Sequence, residues 1–581
     1  MTPKLFELRP NRELLNPHFN GYKLSLDKIP VLKKEFDTSV DRVLPNNEQY
    51  SLLHAKLFGL HNHLYTDHFY EQNAVYFIDK LWNVRKISID QITGRLNDII
   101  KVWEIPQRNE RKSGQYNVSV YFTSENIAVL SDGTGMLHVV NTGNRNENTT
   151  WQSVFSDEVL DSDKGFIIQD AVFKKNENRQ NELHCVLIHI EPGENSDRFS
   201  TIVSWITLNE MSDNNWGEVS LRVLSASGGF YYCALESNCK YIYIASEKPF
   251  KFILDSENPI VDTKKTATLE VPKIYTWLQT EDDIVVRFNA NSNCDKKDFV
   301  ISVESTSILV KYKDIILLQG ELNHRIDTEL TTWNIGNDEI LEITVTKSEK
   351  GLMWQDFVLS DETGEQIIDP NIVAEVHQRL AHLCSETEII RAETGPAFST
   401  QQIEECDFEG DNTAILERFS STSHEVTHRS NLGSHQIVMT VKLGANIPPS
   451  IVIRHDVDAC IWSPQEQTGE NWSLKHDGTL LAFGYVQASK QQRKFSSCSP
   501  NLNYSIICES IRHAFIYRQN KAVTSGELRN RRSGQRVGTV AEQQVISLPD
   551  DEILGLSATN EILYLLTETF ILALKIECTE I

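Results

Sequence analysis

Hydrophobic and polar residues alternate in short runs along most of this 581-residue chain, and polar loops separate the runs. The clearest run is Leu341–Thr346. Leu341, Ile343 and Val345 fall on one face, with Glu342, Thr344 and Thr346 on the other. A period of two marks a half-buried antiparallel strand. Phe299, Ile301 and Val303 repeat it, as do Ile308, Val310 and Tyr312, and Ile284, Val286 and Phe288. About seven such strands packed closely together predict a small antiparallel β-sandwich over residues 270–365.

The flanks carry more strands than one sandwich holds. Before the sandwich they include Ala74–Ile78, Ile127–Leu130, Met136–Val140, Cys185–Ile188, Thr201–Trp205 and Tyr241–Ile244, with no helical periodicity among them. Ser131-Asp132-Gly133-Thr134-Gly135 is the strongest hairpin signal, because Asp-Gly supplies the positive φ of a tight turn. After the sandwich come Ile437–Val441, Ile451–Ile453, Leu480–Tyr485, Tyr504–Cys508, Phe515–Tyr517, Ile553–Leu556, Ile562–Leu566 and Phe570–Leu574. Gly21–Leu26 reads as an edge strand. Many short, regularly spaced strands predict a β-propeller, although no Trp-Asp motif recurs at blade spacing. Neither flank completes a ring alone. The expected fold is therefore all-β, with one propeller split in sequence into 1–268 and 416–581 and the sandwich inserted between. One short helix is expected after the insert, within 366–415. Asp369 would cap it, Pro370 would open it, and Ile372, Val376, Leu380 and Leu383 would form its apolar stripe. The acidic stretch 386–411 reads as a solvated linker.

Charge narrows the function classes. Lys and Arg number 56 against 81 Asp and Glu, a net charge of −25. Such a chain repels phosphate backbones, which argues against direct nucleic-acid or anionic-membrane binding. The start, Met1–Pro10, has no apolar core of leader length, and the tract Ile562–Ile576, broken by Thr567-Glu568-Thr569, is too short to span a bilayer. Ten cysteines stand singly with no C-x-x-C pair, which predicts reduced thiols. The expected home is the cytoplasm, with the nucleus as a second compartment.

Candidate chemistry is sparse. His424-Glu425-Val426-Thr427-His428 matches the H-E-x-x-H of zinc hydrolases. That chemistry needs a helix, which puts both histidines on one face and the Glu beside the metal. Here serines precede the motif and β-formers fill it, so a strand is expected. His61-Asn62-His63 with Asp67 and His68 reads as a set of solvated loop histidines, and His455-Asp456-Val457-Asp458 as a polar strand end. Arg529, Arg531, Arg532 and Arg536 form the one basic cluster, read as a surface loop. No Walker A or G-x-S-x-G sequence occurs. No catalytic, cofactor-binding or metal-binding residue is expected.

Trp277-Leu278-Gln279-Thr280-Glu281, Thr332-Trp333-Asn334-Ile335 and Leu341–Lys347 resemble, in order and spacing, the CS domain of NudC-type co-chaperones. The likeness to this family extends to nearly the whole chain through Gly21–Leu26, Leu130–Gly135, Asn431–Ser434, Arg454–Ala459, Gly484–Lys490, Phe515–Gln519 and Ala558–Glu561. The resemblance implies a non-enzymatic co-chaperone or adaptor. Its CS domain would bind clients through its faces and assist the heat-shock protein 90 machinery, and its propeller would select the partner. Propeller proteins and a DEAH-type RNA helicase are the implied partners. No sustained heptads occur, so a dimerising coiled coil does not carry over and a monomer is expected. Core packing is the plain reading of Trp277, Trp333 and Trp354, while Trp277, Trp354 and Phe357 are the aromatic anchors expected near the binding surface. The rival readings are a zinc hydrolase on His424, Glu425 and His428, and a static scaffold subunit.

Overall fold

A computed structural model gives the fold. It describes residues 3–260, 273–367, 414–519, 529, 534 and 539–576, apart from gaps at 71–73, 91, 108–111, 113, 148, 161–163, 177–178, 194–198, 213–214, 281, 290–295, 314, 336–339, 353, 355, 359–360, 362, 433–434, 466–473 and 549. The chain divides into two compact units, Met1–Ile260 with Thr400–Ile581, and Val261–Ser399. The expected helix and the acidic stretch 386–411 lie outside the described residues.

Among the described residues, seven sheets make up the larger unit. Blade 1 spans Tyr65–Glu104, blade 2 Ser119–Glu158, blade 3 Ile167–Ser227, blade 5 Ile437–Leu480 and blade 6 Arg493–Ser547, four consecutive strands each, and Lys251–Asp255 adds a fifth, outer strand to blade 3. Blade 4 joins Phe230–Leu235 and Tyr241–Ser246 to Ile415–Ser420 and Val426–Asn431 across the insertion. Blade 7 holds Gly555–Ala558, Ile562–Leu566 and Phe570–Lys575. Its fourth strand is Val31–Glu35, from the other end of the chain.

The cores prove that these sheets form a closed ring, for each lies between two neighbouring blades. Tyr76 and Val84 of blade 1 pack with Val120, Phe122 and Leu130 of blade 2. Val129 and Leu137 of blade 2 pack with Leu183 and Ile206 of blade 3. The series continues through blades 3 and 4, 4 and 5, 5 and 6, and 6 and 7. It closes where Tyr564 and Ile571 of blade 7 meet Val75 and Phe77 of blade 1. Alternate residues of one strand thus serve two cores. Ala128 and Leu130 face blade 1 while Val129 faces blade 3. Both faces are buried, so the strand reads as a continuous apolar run. Each fully buried large side chain contributes roughly 1.5–3 kcal/mol.

The N-terminal segment follows the outer edges of blades 4 to 7. Lys4–Leu5 pairs parallel with blade 4, the Asn11 amide donates to His476 Nδ1 of blade 5 at 3.0 Å, and Phe19–Leu24 pairs parallel with blade 6. Val31–Glu35 then closes blade 7. Two helices stand where strands or loops were expected. Leu52–Gly59 is capped by Ser51, whose hydroxyl accepts from the His54 amide, and Phe483–Ala488 replaces the end of the predicted strand Leu480–Tyr485. Both are too short to show a helical period.

The smaller unit is the expected sandwich. A five-stranded sheet faces a three-stranded sheet made of Phe299–Val303, Ser307–Tyr312 and Ile315–Glu321. Their shared core includes Ile284, Val286, Phe288, Ile308, Val310, Leu341, Ile343 and Val345, the inward members of the alternating runs.

Candidate protein-binding surface

Trp277, Trp354 and Phe357 are inside the sandwich, at 5%, 3% and 1% exposure, so they are not the anchors of an exposed surface. The reason is register. Trp277 pairs with Val286, which pairs with Ile343, and all three point into the core. Phe357 bridges Trp277 and Trp354 with ring centroids 6.2 Å from each. Gln279 fixes the segment that carries Trp354. Its Nε2 donates to the Trp354 carbonyl at 2.7 Å, and its Oε1 accepts from the Trp354 amide at 2.8 Å. Lys347 is also buried and donates to Gln279 Oε1, Thr280 O and Leu352 O. Burial lowers its pKa, partly offset by Asp282 and Asp283. Trp354 alone of the three reaches a cleft, of about 500 Å³, whose walls include Leu322, His324 and Arg325.

The exposed apolar residues lie elsewhere on the sandwich. Val300, Lys311 and Ile316 pair in one row across the outer face of the three-stranded sheet. Val300 is 56% and Ile316 49% exposed, and neighbouring Ile315 63%. Leu309 shares this face one row on, opposite Ser302 and Gln319. On the five-stranded sheet, Trp333 occupies the edge strand opposite Ile343, half-covered by the Lys296 ammonium 5.5 Å from its ring. Two exposed apolar side chains flanking one cation suit contact with another protein, since the sheet's other face already supplies the core. The sequence held a signal for it. Phe299-Val300-Ile301 and Ile315-Ile316-Leu317-Leu318 are unbroken apolar runs in a sandwich strand, so at least one member of each must face outward.

The propeller residues singled out for chemistry are used structurally. His424 sits in a turn with φ +57°, its Nε2 2.8 Å from Asp255 Oδ2 and its ring against Phe252. His428 lies in the strand Val426–Asn431, buried, with Nδ1 2.9 Å from Thr427 Oγ1. The helix that zinc chemistry would need is absent at 424–428. Among the described residues no group of three or more His, Cys, Asp or Glu is placed to hold a metal. Contrary to expectation, none of His61, His63 and His68 stands on an open loop: His63 is buried, and His61 and His68 are partly covered in the wall of a cavity. Burial holds His61 and His68 down at about 4 and His63 well below its ordinary value. Asp67 instead makes a buried ion pair with Arg145 at 2.6 Å. Asp456 forms the turn of a blade 5 hairpin, and Asp458 accepts from the Ala482 amide at 2.6 Å. Arg529 donates to the Gly534 carbonyl at 3.2 Å, and Arg531, Arg532 and Arg536 lie outside the described residues.

Comparison with known proteins completes the picture. The family model for the CS domain matches residues 273–347. NudC domain-containing protein 1 of Mus musculus is 35% identical over 571 residues, 96% of this chain and 97% of that protein. The Xenopus tropicalis protein of the same name is 34% identical over 591 residues, 99% of each. The β-propeller domain of Myceliophteria thermophila Cps50 (Swd1), a solved structure, is 4% identical with a TM-score of 0.33, covering 88% of this chain and 96% of that one.

Proposed function

Because the chain belongs to the NudC domain-containing protein 1 family, we propose that it is a non-enzymatic co-chaperone or adaptor that holds protein partners on the outer face of its CS sandwich. The observation that carries this reading is the row Val300–Lys311–Ile316, two exposed apolar side chains flanking one cation on a sheet whose other face is a complete core. The partner of the sandwich is the heat-shock protein 90 machinery, and the propeller selects the client, a propeller protein or a DEAH-type RNA helicase. The working compartment is the cytoplasm, with the nucleus second.

The test replaces outward residues only. Full-length protein carrying Val300→Glu with Ile316→Glu is titrated against purified heat-shock protein 90 beside the unaltered chain. Covering the exposed parts of these two side chains contributes about 2 kcal/mol, so the loss is roughly thirtyfold. Equal affinity, with an unchanged circular-dichroism spectrum in both proteins, refutes the assignment of this face.

A further inference from the structure

Positive charge gathers at the centre of the propeller although the chain carries −25 overall. A cavity of about 970 Å³ lies among blades 3 to 6 and the helix Leu52–Gly59. A second, of about 440 Å³, adjoins it through Lys56, Leu57, Leu60, Gln169 and Thr440. Lys56, Lys442 and Arg493 bring charge to these walls from the helix, from blade 5's border and from blade 6. Among the described residues none of the three has a carboxylate at ion-pair distance. Lys56 stands over the Tyr231 ring at 5.0 Å, and Arg493 Nη1 donates to the Lys490 carbonyl. Lys442 donates to the Tyr121 hydroxyl at 3.0 Å, and that hydroxyl passes its proton toward buried Asp170 at 2.6 Å. Lys494 also lines the larger cavity but is paired with Glu552 at 2.9 Å. Glu247, the only carboxylate among the described residues lining the two cavities, is occupied by the Gly229 amide and the Tyr231 hydroxyl.

A second observation is independent of charge. Gln487 and Thr201 line the larger cavity at 3% and 2% exposure, and Gln487 Oε1 and Thr201 Oγ1 have no hydrogen-bond partner among the described residues. A buried polar atom without a partner costs about 1–3 kcal/mol, which a ligand donor or acceptor would recover once the side chain turns into the cavity, since neither atom is open to it at rest.

We propose that this channel binds an extended acidic segment of a partner protein, its carboxylates meeting Lys56, Lys442 and Arg493 and its main chain meeting Gln487 and Thr201. The three cations stand on different elements with apolar wall between them, including Leu53, Phe230 and Met439. That spacing suits side chains strung along a peptide, where a single phosphate would be clasped by clustered donors. A nucleic acid is disfavoured by the chain's overall negative field. The inference deepens the reading of the propeller as the partner-selecting part and rests on it, while standing apart from the CS face.

The probe is a fluorescein-labelled ten-residue peptide alternating Leu and Glu, followed by anisotropy with the full-length protein at low salt. It binds, and its Glu→Gln counterpart binds at least about tenfold more weakly. Lys56→Glu and Arg493→Gln each weaken binding about five- to tenfold, while both keep their affinity for heat-shock protein 90. Val300→Glu with Ile316→Glu binds the peptide unchanged, so failure of the channel and failure of the CS face give different patterns. Equal binding by Lys56→Glu and Arg493→Gln overturns the proposal. So does displacement of the peptide by equimolar inorganic phosphate, or tighter binding of a uridine decamer.

Discussion

Replacing Arg418 by Met should loosen blade 4 at the seam where the sandwich interrupts it. Arg418 follows the insertion and Glu236 precedes it. Arg418 Nε reaches Glu236 Oε1 at 2.6 Å and Nη2 reaches Oε2 at 3.0 Å, both side chains at most 1% exposed. The guanidinium also lies 3.3 Å from the Tyr241 ring centroid and donates to Thr427 Oγ1. Methionine keeps most of the apolar stem but leaves the Glu236 carboxylate buried without the Arg418 counter-charge, the neutral Asn238 Nδ2 still 3.2 Å away. Breaking one half of a buried pair costs about 3–5 kcal/mol, in line with about 4 kcal/mol for two unit charges 4 Å apart at an effective dielectric of 20. Urea unfolding of the full chain measures the loss. Hydrogen exchange locates it, with faster exchange in Tyr241–Ser246 and Ile415–Ser420 and none of the change in Leu341–Lys347. Adding Glu236→Gln should recover more than half of the loss, because the stranded charge is then gone. A loss below about 1 kcal/mol, or a double variant no better than the single one, would refute the reasoning.

Gln279→Ala removes three buried hydrogen bonds around Trp354 and should destabilise the sandwich by about 3 kcal/mol, seen as faster exchange in 341–347 with blade strands unaffected. Gly133→Ala should destabilise the propeller by about 2 kcal/mol or more in urea titrations, because φ is +75° and an added Cβ would meet the Tyr116 carbonyl oxygen at 2.0 Å. Stability should also fall on acidification from about pH 6.5 toward 4. The unfolded chain takes up protons on His61, His63 and His68 that the folded chain refuses, at up to about 1.4 kcal/mol per pH unit for each histidine. His63→Gln should flatten that slope, and urea midpoints that do not move between pH 7 and 4.5 would contradict it.

The sandwich was legible because it is buried on one side. Leu341, Ile343 and Val345 alternate with polar residues, and all three proved to be core. The blade strands carry a different signature. Tyr504, Ile506 and Cys508 face blade 7 while Ile507 faces blade 5, so the run is apolar throughout and shows only that a strand is buried. Blade number was hidden for a topological reason. Blade 7 takes its outermost strand from Val31–Glu35, and blade 4 is completed only beyond the insertion, so no fixed sequence period counts the blades. At the candidate surface, the direction of Val300 is readable from the alternation of Phe299, Ile301 and Val303, and the direction of Trp277 is not. Trp277 has the residue type of an anchor, but pairing with Val286 turns it inward, whereas Val300 faces out.

The split itself follows from where chain ends fall in each unit. Tyr241–Ser246 and Ile415–Ser420 are adjacent antiparallel strands, and Ser246 is the register partner of Ile415. The connection between them is no ordinary hairpin turn, because beyond Ser246 the chain first lays Lys251–Asp255 along the outer strand of blade 3, and the host unit runs on to Ile260. In the guest the two ends belong to neighbouring parallel strands. Its first strand, Tyr275–Gln279, pairs with its last, Gly364–Gln366, and Tyr275 stands opposite Gly364. A domain whose first and last strands are neighbours can enter such a connection without displacing the strands on either side, since neighbouring strands lie only about 5 Å apart. The continuity of blade 4 then depends on side chains that reach across the interruption, which is why the Arg418–Glu236 pair is buried at that seam rather than exposed on a rim.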